Sequence, residues 1–318
     1  MSSPDSTATD ARARDGAIVA ELSHNALLSI TGDDATAFLH GQFTNDVEAL
    51  RPGTAQWNGW CSPKGRLLAT FLLVRHADGY LLMLPAEIAA AISKRLAMFV
   101  LRSRVTITDV TDRFARLGLV QIGVRPQFAV PGGMRVEERD GAIHVALDSA
   151  RTLILAPNEV AQRAREALGA RATPAGADAW ERASISAGIP TIVAATQDAF
   201  VPQMANFELV GGVSFRKGCY PGQEIVARTQ YRGILKRRMA LAHVRSATRP
   251  APGQSLYSDA FGDQAAGTVV NAAPAPGGGW DLLAVAQLES LRAADLHLDS
   301  PSGTPLEIRA YPAPEAAS

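Results

Sequence analysis

Gly211-Gly212-Val213-Ser214-Phe215-Arg216-Lys217-Gly218-Cys219-Tyr220-Pro221-Gly222-Gln223-Glu224 sets one of only two cysteines in the chain among cations and glycines, just ahead of a helix. Pro221 suits the first helical position, where a fixed φ and a missing N–H cost nothing. Glu224 falls in the first turn, where a carboxylate complements the helix dipole. Gln223–Tyr231 then reads as a short helix. Cys219 stands just before it, near backbone N–H groups without helical partners, with Arg216 and Lys217 alongside. Both surroundings favour a thiolate over a thiol.

Working outward, the 318 residues carry 31 basic and 31 acidic side chains, so no global charge directs the chain to nucleic acid or membrane. The length suits two or three domains with real cores. Cys61 and Cys219 lie too far apart in sequence to suggest a disulfide framework or a multi-cysteine metal site. The six histidines show no ligand spacing, and no metal is assigned. Residues 1–15 are polar, lack the apolar core of a secretory signal and read as a disordered tail. No apolar run approaches the ~20 residues of a membrane span. The expected compartment is the cytoplasm, with reduced thiols.

Strand and helix patterns alternate irregularly, which predicts an α+β fold. Thr31–Asp34 reads as a helix start leading into Ala35–Asn45. Leu67–Val74 and Tyr80–Leu84 form a hairpin around His76–Gly79. Ile88, Ile92, Leu96 and Phe99 predict an amphipathic helix covering a sheet. Val105–Thr108, Leu117–Ile122 and Thr152–Leu155 read as strands, Asn158–Leu168 and Ala177–Ala187 as helices. Beyond residue 238 come short strands (Met239–Val244, Gly267–Asn271, Leu282–Ala286) and a Pro/Gly loop at Asn271–Gly279. This part reads as a small β-barrel. The expected division is a tail over 1–15, a region of two interleaved subdomains over 16–238, and the barrel over 239–318.

The Gly211–Glu224 stretch closely resembles the signature of YgfZ-type folate-binding proteins, relatives of the glycine-cleavage aminomethyltransferase (T-protein). Other segments follow in the family's order. Phe38–Val47 looks like its N-terminal helix with an Asn-Asp-Val end, and Cys61–Arg66 is similar to its Lys-Gly turn. Ala187–Pro190 and Phe200–Asn206 match the approach to the cysteine. The resemblance covers roughly residues 20–310. It implies a ring of three subdomains around a central folate site, the third a β-barrel. It also implies tetrahydrofolate, or a one-carbon derivative, as ligand. The implied role is support of iron–sulfur cluster assembly or repair in client enzymes, including one that thiolates tRNA, with Cys219 as the working residue.

The chain departs from the aminomethyltransferases in respects that bear on activity and on the grip of the pterin, since Ala146–Thr152 lacks their Gly-Tyr-Thr-Gly-Glu-type anchor. Lys64–Thr70 has no acid where they carry an acidic pair, and Ser186 stands where relatives commonly have Glu. A general acid or base must reach the proton it moves, so aminomethyl transfer loses its most obvious catalyst. That transfer is the rival function, and a non-catalytic scaffold that docks clients is a third.

Site assignments follow, each beside its ordinary alternative. Cys219 is a nucleophile or redox partner facing the pterin, or a transient ligand to iron or persulfide sulfur; the alternative is an inert buried thiol. One cysteine cannot hold a cluster alone. Lys217 activates the thiol or binds an anion; otherwise it is solvated. Asn45, Asp46 and Lys64 line the folate site, or Asn45-Asp46 caps a helix. Gln203 and Asn206 reach the ligand from a loop, or satisfy backbone groups. Tyr220, Gln223 and Glu224 contact the pterin, with helix capping equally good for the last two. Arg228 anchors a folate carboxylate, or belongs to a solvated helix face at a domain junction. Residues 216–238 hold seven cations against one acid, yet no aromatic-studded RNA motif accompanies them, so direct nucleic-acid binding ranks low. Cys61 and the four tryptophans read as packing residues.

Overall fold

The computed structural model describes residues 16–77, 79–129, 134–231, 233 and 235–312. The expected tail, the hairpin residue Asp78 and the cation Arg232 lie outside them. The chain opens with β1 (Ala17–Glu21), β2 (Asn25–Thr31) and α1 (Ala35–Gln42). Then come β3 (Ala55–Cys61), β4 (Leu67–His76), β5 (Gly79–Pro85), α2 (Ala86–Ala97) and β6 (Thr106–Asp109). The next group is β7 (Phe114–Gln121), β8 (Arg135–Arg139), β9 (Ala142–Ala146), β10 (Arg151–Pro157), α3 (Asn158–Gly169), β11 (Ala172–Ala175) and α4 (Ala177–Ser186). After α5 (Gln223–Tyr231) the chain turns to β12 (Arg237–Val244), β13 (Ser255–Ser258), β14 (Gly262–Pro274) and β15 (Trp280–Gln287). It closes with α6 (Leu288–Ala293), β16 (His297–Leu298) and β17 (Leu306–Ala310).

These strands make three sheets, ordered β11-β1-β7-β10-β9-β8, β3-β4-β5-β2-β6 and β16-β13-β14-β15-β12-β17. The first two interleave in the chain: β1 belongs to one, β2–β6 to the other, and β7 returns to the first. They pack face to face through Leu72, Val74, Leu81 and Met83 on one side and Val120, Val145, Leu153 and Leu155 on the other. The opposite face of the five-stranded sheet is covered by Phe38 and Leu39 of α1 and Ile88, Ile92 and Leu96 of α2. Strand β4 is therefore buried on both faces over Leu67–Val74, which explains its continuous apolar run. Leu168 and Ala161 of α3 cover Leu117 and Ile154 on the outer face of the first sheet. Gly118 lets α4 approach that sheet: a Cβ there would lie 2.4 Å from the Trp180 ring.

The third sheet curls into a barrel-like body whose edge strands meet. His297 bridges to Pro305, and Leu298 N donates to Thr304 O at 2.9 Å. Its interior holds Ala240, Leu256, Leu282 and Leu298. The outer side joins the rest through a core of Met239, Val270, Leu283, Phe200, Phe207 and Val226.

The expected α+β fold with a C-terminal barrel is thus what the chain adopts, with local differences. Helix α2 ends at Ala97, and Phe99 lies beyond it, 42% exposed and edge-on to Trp60. Strand β14 runs through Pro274, taking the first part of the expected Pro/Gly loop into the sheet. Pro221 is in a turn, and α5 begins two residues later at Gln223. The cause is Gly222, whose φ of +80° is left-handed and cannot continue a right-handed helix.

Candidate functional site

The motif loop is stitched to the end of α1. The Thr44 hydroxyl donates to Gly212 O at 2.6 Å and accepts from Gly59 N at 2.8 Å. Ser214 N donates to Thr44 O at 2.9 Å. Asn45 Nδ2 donates to Trp57 O at 2.9 Å and to Gly211 O at 2.7 Å, so this side chain is a brace between β3 and the motif. Lys217 is 8% exposed. Its Nζ donates to Phe43 O at 2.7 Å and to His40 O, and lies 4.8 Å from the centre of the Tyr220 ring. The lysine closes the C-terminus of α1, where carbonyls lack helical partners. Burial pulls its ammonium down to about 8, against the opposing charges of Asp46, Glu48 and Cys219.

The second half of the loop locks onto the turn Ser62–Gly65. A Cβ on Gly222 would lie 2.4 Å from Ser62 O and 2.6 Å from Gly65 Cα, so the two turns touch backbone to backbone. Tyr220 is buried, which pushes its phenol upward, with Cys61 adding to the shift. Gln223 Oε1 accepts from Tyr220 N at 3.2 Å, a bond of the capping kind at the start of α5. Between these fixed points Cys219 is exposed. Cys61 is buried, and burial followed by the charge of Asp198 pushes its thiol up.

The other sequence-derived positions divide between scaffold and surface. Gln203 Nε2 donates to Val226 O at 2.8 Å, and Asn206 Nδ2 to Met239 O at 2.7 Å, both deep in the core. Lys64, Glu224 and Arg228 are exposed. Asp46 Oδ1 accepts from Ala49 N at 3.0 Å and lies 3.3 Å from His40 Nδ1.

A cavity of about 480 Å³ lies where β5, α4, the 189–193 segment and β14 converge. Trp57, Phe71, Met83, Trp180, Ile185 and Ile189 form apolar walls. Its polar edge carries His24, Asn25, Glu87, Glu181, Arg249 and Asn271. Arg249 holds Glu181 at 2.8 Å and Asp178 at 3.0 Å, and Glu181 lies 3.5 Å from His24 Nε2. Thr70 also lines it, from the stretch that lacks an acid in sequence, with its hydroxyl bound to Pro190 O at 2.8 Å. The carboxylates arrive instead from the start of α2 and from α4. No residue of the Gly211–Glu224 motif, nor Asn45, Asp46, Lys64, Gln203, Asn206 or Arg228, is among the residues lining this cavity. The sequence reading passed over its lining residues because they come from separate elements with no shared motif. The one signal was the aromatic pair Trp57 and Trp180, read there as packing.

A flat heteroaromatic ring with a donor and acceptor edge fits this space: aromatic walls for its faces, and carboxylate, amide and guanidinium groups for its edge. Among the described residues no helix is long and apolar enough to cross a membrane.

The GCVT N-terminal domain family matches residues 4–120. In overall structure the chain is similar to the glycine cleavage system aminomethyltransferase T from Bartonella henselae. The TM-score is 0.73 at 16% identity, over 95% of this chain and 88% of that one, a likeness of fold. In sequence it is 30% identical, over 239 residues, to the tRNA-modifying protein YgfZ of Cronobacter sakazakii. That alignment spans 73% of this chain and 72% of the relative. The motif around Cys219, the T-protein fold and this relative together make the chain a member of the YgfZ family.

Proposed function

We propose that the protein binds a reduced folate, tetrahydrofolate or a one-carbon derivative, and supports assembly or repair of iron–sulfur clusters in client enzymes through Cys219. tRNA-thiolating enzymes are the clients suggested by the relative named as tRNA-modifying. The observation that carries the reading is the aromatic-walled cavity where β5, α4 and β14 converge, in a fold shared with a glycine cleavage system aminomethyltransferase. Trp57 and Trp180 would flank the pterin, and Glu181 and Asn25 would meet its edge. When bound, the folate would supply one-carbon or redox chemistry. The chain's own part is to hold the ring among apolar walls with a carboxylate at its edge. Cys219 is exposed and outside the cavity lining, which favours the role at a client's cluster over one facing the pterin. That role suits a reducing compartment such as the cytoplasm, where the thiol stays free.

Isothermal titration with tetrahydrofolate tests the binding: heat and competition by a folate analogue are expected, and their absence overturns it. Complementation of a deletion strain tests the thiol. Rescue by Cys219→Ala equal to wild type removes the cysteine from the mechanism. The cavity carboxylates Glu87 and Glu181 favour a second reading, aminomethyl transfer. Release of ammonia and methylene-tetrahydrofolate from an aminomethylated carrier protein would establish it.

A further inference from the structure

We propose that the outer face of the first sheet binds a small ligand carrying a dianionic phosphate group, at a site separate from the aromatic-walled cavity and from Cys219. Helix α3 covers this face only in part, over Leu117 and Ile154. Strand pairing decides what lies beyond the helix. His144 pairs with Ile154 on one side and Glu137 on the other, and Ala146 with Thr152 and Arg135. Side chains alternate along each strand, so Arg135, Glu137 and Arg139 of β8 stand on the same face as His144, Ala146 and Thr152. Val136 N donates to Gly53 O at 3.0 Å, which fixes β8 on the edge away from β9. Two adjoining cavities of about 840 and 440 Å³ result, and both are lined by Arg139, His144, Ile154, Leu168 and Arg171. None of their lining residues belongs to the aromatic-walled cavity.

Cations outnumber acids here. Arg135, Arg139, Arg163 and Arg171 line the two cavities against Glu137 and Asp140, an excess of two positive charges. Arg139 is paired with Glu137 at 3.2 Å. Among the described residues Arg135, Arg163 and Arg171 make no ion pair, whereas Arg165, on the same helix as Arg163, is bound to Glu21 at 2.6 Å. The imidazole of His144 shows that the cations converge. Burial first, and then Arg139 and Arg171, hold it below its ordinary value, with Asp140 and Glu137 opposing. A guanidinium presents paired N–H donors that match phosphate oxygens. A dianion cancels the excess charge, and a single carboxylate would leave half of it. The larger cavity falls within the ~300–1,000 Å³ of small-molecule sites, and Leu119, Ile154 and Leu168 give it an apolar floor for the organic part. Among the described residues no Phe, Tyr or Trp lines either cavity. The stacking platform that grips single-stranded nucleic acid is therefore missing, which favours a small ligand.

The test follows the His144 ring by proton NMR on the full chain, with its signals assigned through His144→Gln. Inorganic phosphate is added, with sodium chloride at equal ionic strength as the control. The charged groups around the ring are Arg135, Glu137 and Arg139 of β8, Asp140 of the turn after it, Arg163 of α3 and Arg171 beyond that helix. A phosphate held among these arginines brings negative charge to the imidazole, so the midpoint of its pH titration should rise, and chloride should not reproduce the rise. The double variant Arg139→Gln/Arg171→Gln should weaken phosphate about tenfold or more, the loss expected for hydrogen bonds to a charged group. AMP, added in parallel, separates the sources. Tighter binding than inorganic phosphate assigns a phosphate monoester, and binding no tighter assigns the phosphate group alone. A His144 midpoint that phosphate moves no further than chloride does overturns the proposal. So does a double variant that binds phosphate as tightly as wild type; should it fail to fold, Arg171→Gln alone is judged by the same standard. Neither outcome bears on folate binding or on Cys219.

Discussion

Lys217 Nζ donates to Phe43 O at 2.7 Å, so the cation of the cysteine motif serves as the C-terminal cap of α1. Replacing it by Met leaves Phe43 O and His40 O without that donor. The expected loss is about 1–3 kcal/mol, the range for orphaned buried polar groups, measured by urea unfolding at pH 7.

The same lysine sets a pH dependence. Burial holds its ammonium at about 8, against an ordinary 10.5. The folded chain therefore releases this proton before the unfolded chain does. Across that interval the unfolded state binds more protons, so the lysine's contribution to stability rises with pH; as pH falls back through 8 the gain is lost. Unfolding free energies of wild type and Lys217→Met, compared across the interval, should diverge in that direction, and a constant difference would refute it.

Two glycines of the motif should respond unequally to alanine. At Gly222 the new methyl would meet Ser62 O at 2.4 Å, and the backbone is left-handed at φ +80°. A loss of about 2 kcal/mol or more is expected from strain of this kind. At Gly218 the nearest atom is 3.5 Å away, an ordinary contact, and the change should stay within about 0.5 kcal/mol. Thermal melts of the two variants decide between these outcomes.

The two cysteines should be separable by reactivity. Cys61 is 2% exposed and its thiol is pushed up by burial, whereas Cys219 is exposed. A disulfide reagent should titrate one thiol in the folded protein and two after denaturation. Two fast thiols in the native state would contradict this packing.

Trp57 and Trp180 line the cavity and Trp280 does not. If tetrahydrofolate occupies it, intrinsic fluorescence should be quenched on binding. Trp57→Phe should shrink the change, and Trp280→Phe should leave its relative size intact. Quenching lost with Trp280 and kept without Trp57 would place the ligand elsewhere.

How much of this was legible in advance follows from the range of the interactions involved. The α5 span Gln223–Tyr231 was readable from local pattern, as were the spans of α3 and α4 to within a residue. The short strands β1 and β11 were not, because each is defined by partners far away in sequence, as β1 is by β11 and β7. Phe99 fitted the stripe of α2, but the helix stops before reaching it. For Gln203 and Asn206 local pattern left a ligand and the backbone equally open, and their bonds to Val226 O and Met239 O tie the loop to α5 and the barrel.

By itself the sequence determined the family, the α+β class with its terminal barrel, and the one cysteine set in an unusual local environment. Those features reside in runs of neighbouring residues, where turn chemistry, capping and periodicity act. The tertiary structure decided what the neighbours of that cysteine do. It gave Lys217 to the carbonyls of α1 and assembled the cavity from β5, α4 and β14. A cavity and an ion pair are made by groups that meet only when sheets pack, and a linear pattern holds no record of that meeting.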